Sequence, residues 1–237
     1  MENHPNAPEA PRRVRMVGSF DALIGTRFEG DINALCWPRQ LPGDFHEIVD
    51  RLQAGDGITT IEDDDLLALT LSPAGIVARD VLLADQALLR DHGLAPTLDC
   101  VNGYPRDGAA RPFATDVHSF HVDSATIQAD TYLCTYIGGT SEGLANEAAV
   151  RRVDVAETRA QLLGLYGDQD DENFTAYLAE HFYDLHYAAL PGARPYPFGL
   201  GNLWRIAIAY PGAPVLPCIH RAPPSLPGDP ARLLLIS

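Results

Sequence analysis

The chain has 237 residues, 46% of them hydrophobic and 21% charged, with a formal net charge of −15. That is enough apolar material for one sizeable core. All 17 basic residues are arginine, which excludes a Schiff-base lysine, a Walker-type phosphate lysine and a lysine general base. A chain this acidic, without a basic stripe, is not expected to track a nucleic-acid backbone. A small molecule, cationic or zwitterionic, is the partner its net charge favours. No run of about 18 apolar residues is present, so no membrane-spanning helix is expected. Cys36, Cys100, Cys134 and Cys218 are scattered and form no Cys-x-x-Cys pair, which fits reduced, buried thiols.

In chain order, residues 1–15 are polar and rich in Pro and Arg, lack the apolar stretch of a signal peptide, and read as a disordered arm of a cytoplasmic protein. Residues 16–237 read as a single domain. Ile32 to Trp37 belongs to an early strand. Asp44 is a suitable N-cap for a helix through Leu52. The acidic triplet Asp63-Asp64-Asp65 fits a helix N-terminus better than a metal site. Ala74 to His92 has apolar residues at helical spacing, with Gly93 where a C-cap glycine belongs.

The pattern changes at Thr97. Thr97 to Val101 reads as a strand and Asn102-Gly103 as a turn. His118 to Asp123 lies on a strand or at its end. Ile127 to Ile137, rich in Thr, Tyr and Ile, is the strongest strand signal in the chain. Helices are predicted over 155–166 and 172–187, forming an insertion near 155–190. Strands resume at Leu203–Tyr210, Val215–His220 and Ala231–Ser237, with a proline-rich loop over 223–230. Two strand-rich blocks bracketing a helical insertion suit a mainly β fold with flanking helices, an antiparallel barrel or sandwich.

The residues that carry chemistry are His121-Val122-Asp123 and the distant His220. On a strand, residues i and i+2 point to one face, so His121 and Asp123 can supply two ligands to one ion. Two imidazoles and a carboxylate covering one face of an octahedral metal leave its other positions open. With this constellation, the strand after it, Gly138-Gly139-Thr140, the insertion, His220 and finally Arg232, residues 97–237 resemble the Fe(II)/2-oxoglutarate-dependent dioxygenase superfamily.

The resemblance implies a double-stranded β-helix (jelly-roll) core, with His121, Asp123 and His220 as both iron ligands and catalytic centre. It implies that Arg232 grips the distal carboxylate of 2-oxoglutarate, a role suited to a planar bidentate guanidinium. Arg221 is the rival; in an extended segment it points away from the face of His220. Leu234 departs from the family's habit of Ser or Thr two residues after that arginine, which weakens the cosubstrate assignment. Halogenating relatives lack the carboxylate, so Asp123 points to hydroxylation, desaturation or ring formation at a C–H bond of a small molecule, with O2 as co-reactant.

Tyr132 and Tyr136 share a strand face and are candidates to line the cavity and bind cosubstrate. Trp204 and Arg205 are expected near its wall. His181 and His186, five apart on a predicted helix, read as surface or packing residues. Gly138-Gly139-Thr140 resembles a phosphate loop only superficially, since no Lys follows. Two other readings stay open: a cupin-type metal dioxygenase without 2-oxoglutarate, using His118, His121 and His220, and a non-enzymatic jelly-roll binding protein.

Overall fold

The computed structural model describes residues 11–104, 112–167, 169–224 and 229–237. In chain order these form β1 (Val14–Met16), α1 (Phe20–Gly25), β2 (Ala34–Trp37), α2 (Phe45–Leu52), β3 (Gly57–Ile61), α3 (Asp63–Ala68), α4 (Pro73–Asp91), β4 (Thr97–Asn102) and β5 (Asp130–Ile137). There follow β6 (Glu142–Leu144), β7 (Ala149–Arg151), α5 (Ala156–Tyr166), α6 (Glu172–Glu180), β8 (Tyr187–Ala189), β9 (Tyr196–Pro197), β10 (Leu203–Ala207), β11 (Ile219–Arg221) and β12 (Arg232–Ile236). The fold is mixed α/β, built on one large sheet that is antiparallel except for the β1–β2 pair.

That sheet has seven strands in the order β1-β2-β10-β5-β12-β4-β3. Its central strands are buried on both faces, and side-chain alternation sorts them into two cores. Tyr132, Cys134, Leu233 and Leu235 face the N-terminal helices, where Leu82 and Leu89 of α4 are fully buried. Each such leucine stabilises the layer by about 2 kcal/mol. Leu133, Leu234, Trp204 and Ile206 face the other way, onto Phe198 and Cys218.

A second, smaller layer covers this other face. It comprises β11-β6-β9 and the β7–β8 pair. Residues 120–122 join them: His121 bridges to His220 on one side and to His186 on the other. Phe120 and Val122 point outward into a cluster with Leu144 and Ile219. Their neighbours His121 and Asp123 therefore point inward, toward the large sheet.

Local chemistry explains the helix starts. Asp44 accepts from the amides of His46 and Glu47, and Glu62 and Asp65 form a capping box at α3. Ser72 caps α4, with Pro73 at its first position. The four cysteines are buried and unpaired.

Three expectations are corrected. The arm does not extend to residue 15. Val14–Met16 pairs parallel with β2, and the buried Arg13 holds Glu147 through two hydrogen bonds of 2.6 and 3.0 Å; residues 1–10 lie outside the described residues. The second insertion helix ends at Glu180, not Tyr187, because Phe182 adopts left-handed backbone (φ 59°) and breaks it. Finally, residues 118–123 make isolated bridges and not a full strand. Among the described residues, no helix is long and apolar enough to cross a membrane.

Candidate metal centre

His121 and His220 exchange both backbone hydrogen bonds, each 2.9 Å, as an antiparallel pair. Side chains directly opposite each other project to one face, and the two rings stand 4.6 Å apart between centroids. Asp123, two residues on, shares that face. Its Oδ1 is 3.8 Å from Nε2 of His121 and 3.8 Å from Nε2 of His220. The three potential ligand atoms lie within 4.8 Å of one another.

The outer atom of each ligand has a partner. His121 Nδ1–H donates to the Ser119 carbonyl at 2.8 Å, which leaves the Nε2 lone pair facing Asp123. His220 Nδ1 points more loosely at the Cys218 carbonyl, at 3.4 Å. Thr131 Oγ1 donates to Asp123 Oδ2 at 2.6 Å, which frees Oδ1.

Burial, then the adjacent His220, push the His121 imidazole down to about 4, so it is neutral and able to coordinate near pH 7. Burial alone would raise Asp123, but His220, the Thr131 hydroxyl and His121 together hold it below the usual carboxylate value. A two-histidine, one-carboxylate set suits a divalent first-row ion, Fe(II) among them.

Arg232 faces the same space. It is 5% exposed and donates to Tyr104 Oη (2.8 Å), Thr135 Oγ1 (2.9 Å) and Ser141 Oγ (2.8 Å). No carboxylate pairs with it among the described residues, and its buried Nε has no partner. Burial lowers its pKa. Gly138 allows this placement: its φ is 85°, and a Cβ there would meet the Arg232 Cα at 2.9 Å.

Two cavities meet at the triad. The deeper, about 190 Å³, is lined by Arg232, Ser141, Tyr104 and Leu133 together with His121, Asp123 and His220. The wider, about 460 Å³, is lined by His121, Asp123, Thr131, Asp116, Phe182 and His186 among others.

The structure brings His121, Asp123, His220 and Arg232 to one site. Arg221 turns away, pairs with Glu142 at 2.6 Å and lies over Phe120. His118 stands outside the triad, with Nδ1 2.9 Å from the Pro223 carbonyl and its ring edge-on to Tyr104.

The expectation that Tyr132 and Tyr136 line the cavity is corrected. They do share a face of β5, but it is the helix-side face. Tyr136 donates to Asp85 (2.6 Å), which pairs with Arg39, and Tyr132 packs in the same core. Thr131, Leu133 and Thr135 hold the cavity face instead. Trp204 lies in the inter-sheet core, stacked on Phe198 at 4.2 Å. Arg205 is on the far face, bound to Asp130 and to the carbonyls that end α1. Gly138 serves the approach to β12, and Gly139 packs closely on Pro223.

His186, read from the sequence as a surface or packing residue on a helix, lines the wide chamber; the left-handed turn at Phe182 that frees it has no local signature. It is buried (4% exposed), its ring is 5.7 Å from that of His121, and Nδ1 has no partner. Thr131 and Thr135 carried a weak signal: two hydroxyls four apart on one face of a strongly apolar strand. No protein-family model, curated protein or solved structure matches the chain.

Proposed function

We propose that the protein is a mononuclear non-haem Fe(II), 2-oxoglutarate-dependent oxygenase on a double-stranded β-helix core, acting on a C–H bond of a small molecule. One observation carries this reading. A buried guanidinium without a carboxylate partner shares a cavity with a two-histidine, one-carboxylate cluster. A desolvated charge is costly unless compensated. A dicarboxylate such as 2-oxoglutarate would compensate Arg232 with one carboxylate and leave the other for the triad that lines the same cavity.

His121, Asp123 and His220 would hold the metal, with Thr131 and the Ser119 carbonyl fixing the orientation of two of them. Arg232 would orient the cosubstrate, braced by Tyr104, Thr135 and Ser141. Leu133 and Leu234 give the deep cavity an apolar side. When bound, Fe(II) and 2-oxoglutarate supply activation of O2 and oxidation of the substrate, with release of succinate and CO2. The wide chamber is where a substrate would reach the open side of the metal. The reaction would be a hydroxylation, desaturation or cyclisation.

The three-histidine alternative needs His118, whose ring is held on Pro223 and Tyr104, so the carboxylate-containing set is preferred. The test compares His121→Ala with wild type for iron content and for O2-dependent succinate formation from 2-oxoglutarate. Loss of both is expected. Iron content equal to wild type would remove His121 from the site.

A further inference from the structure

His186 stands beside the triad, on the wall of the wide chamber. The Val122 amide donates to the Leu185 carbonyl at 3.0 Å and the Tyr187 amide to the Phe120 carbonyl at 2.8 Å, which sets His186 directly opposite His121. Opposed residues of an antiparallel pair project to one face. His121 is therefore flanked on that face by His220, with ring centroids 4.6 Å apart, and by His186, at 5.7 Å. The two flanking rings serve different cavities. His220 lines the deep one with Arg232, and His186 lines the wide one.

The three rings differ in their bonding. His121 and His220 each point Nδ1 at a backbone carbonyl. Among the described residues the His186 side chain makes no hydrogen bond or ion pair. Its Nδ1 is sealed from solvent without a partner, whereas Nε2 is not sealed, and the wide chamber is the cavity that the ring lines. Burial first, then His121 and Arg152, push the imidazole down to about 4, so it is uncharged near pH 7. An uncharged imidazole carries one N–H and one lone pair. Buried N–H groups without an acceptor are rarer than buried acceptors without a donor, so the proton belongs on Nε2. The chamber wall thus offers one N–H donor for which the described residues supply no acceptor.

Around this donor the lining is apolar. Phe182 is 59% exposed and lines the chamber. Its left-handed backbone (φ 59°) is a strained conformation for a non-glycine residue. Val117, Leu185 and Ile236 continue the apolar lining.

We infer that the wide chamber binds a small-molecule substrate through an uncharged carbonyl oxygen, of a ketone or amide, that accepts from His186 Nε2–H while an apolar body packs on Phe182. This rests on the oxygenase reading for its catalytic meaning; the binding itself needs neither iron nor 2-oxoglutarate. Charged heads fit less well. An ammonium has no lone pair to accept the N–H, so the cationic substrate that net charge favoured is set aside. A carboxylate could accept, but it would also meet Asp116 and Asp123, which line the same chamber. The Asp116 Oδ1 already accepts the His118 amide at 3.1 Å.

The test titrates the full chain with 4-phenyl-2-butanone, 3-phenylpropionate, 3-phenylpropylamine and ethylbenzene, which has an aromatic body and no oxygen. Binding is followed by the histidine ring proton resonances in NMR, on wild type, His186→Phe, His186→Gln and Phe182→Ala. In parallel, 2-oxoglutarate is titrated into the Fe(II)-loaded chain without O2. The ketone is expected to bind about tenfold more tightly than the acid or the amine, and to shift the His186 ring resonance more than ethylbenzene does. His186→Phe keeps a ring and removes the donor. It should weaken the ketone about five- to tenfold and leave ethylbenzene within about twofold, a split that a merely structural role would not produce. His186→Gln restores a side-chain N–H donor and should keep the ketone within about threefold of wild type. Phe182→Ala should weaken both the ketone and ethylbenzene.

Removing an orphaned buried polar group should not lower the melting temperature, so His186→Phe remains a folded reporter. Equal ketone binding in wild type and His186→Phe, equal loss of ketone and ethylbenzene in His186→Phe, acid or amine bound as tightly as the ketone, or no ketone binding to wild type would each overturn the inference. Ketone held through His186 in a chain that fails to bind 2-oxoglutarate would support the chamber site and defeat only the cosubstrate assignment.

Discussion

His121 and His220 face each other as a hydrogen-bonded antiparallel pair, their backbones joined by two bonds of 2.9 Å. The candidate metal centre is thus assembled by one register choice. A slip of one residue would turn His220 outward and bring Ile219 or Arg221 inward. Burial of Ile219 in the outer cluster and the Arg221–Glu142 pair both oppose that slip.

Thr131 holds the non-ligating oxygen of Asp123. Thr131→Val keeps the shape and removes the donor. Metal affinity should fall roughly 10- to 100-fold, the usual cost of losing such a support, while the melting temperature of the metal-free chain changes little. Competitive chelator titration measures the first and calorimetry the second. Unchanged affinity would mean that Thr131 does not orient the carboxylate.

Gly138→Ala places a Cβ at φ 85° against the Arg232 backbone. The strain should cost about 1–3 kcal/mol, read by urea denaturation. It should also weaken 2-oxoglutarate binding by displacing Arg232. Wild-type stability would show that the β5–β12 approach can relax.

Arg39 and Asp85 form a two-point ion pair on the helix side of the sheet, with Asp85 also accepting from Tyr136. Asp85→Ala leaves a buried cation unpaired and should destabilise the fold by about 3–5 kcal/mol. Substitution of Tyr136 by Phe should cost about 1 kcal/mol and leave cosubstrate affinity intact, consistent with its place outside the cavity. Denaturation and 2-oxoglutarate titration of the two variants check this.

Glu147 is held down to about 2 by its hydrogen bonds with Arg13. Its folded pKa lies below the unfolded value, so its contribution is complete above about 4.5 and is lost as pH falls toward 2. The side chain is 47% exposed, which limits the contribution to about 1 kcal/mol. Arg13→Ala should therefore flatten the acid limb of stability between pH 4.5 and 2. An identical acid limb in both proteins would contradict the pairing.

Much of this site was legible in the order of residues, because coordination chemistry restricts ligand types and strand pleating restricts their spacing. His121, Asp123 and His220 could be singled out that way, and Arg221 could be set aside by alternation. Which face of β5 meets the cavity could not. Tyr132 and Thr131 alternate equally well, and only the packing of α4 on the sheet decides between them. His186 was hidden for a different reason: the left-handed residue Phe182 ends the helix, and a phenylalanine carries no sequence signal for that conformation. Arg13 was read as arm because its partner, Glu147, lies far along the chain.

The most direct measurement is the visible spectrum of the Fe(II)-loaded chain, without O2, on addition of 2-oxoglutarate. A weak charge-transfer band is expected in wild type, with no band in His220→Ala or Arg232→Gln. Wild-type protein that binds iron yet develops no band at saturating 2-oxoglutarate would contradict the assignment of the triad and Arg232 to this chemistry.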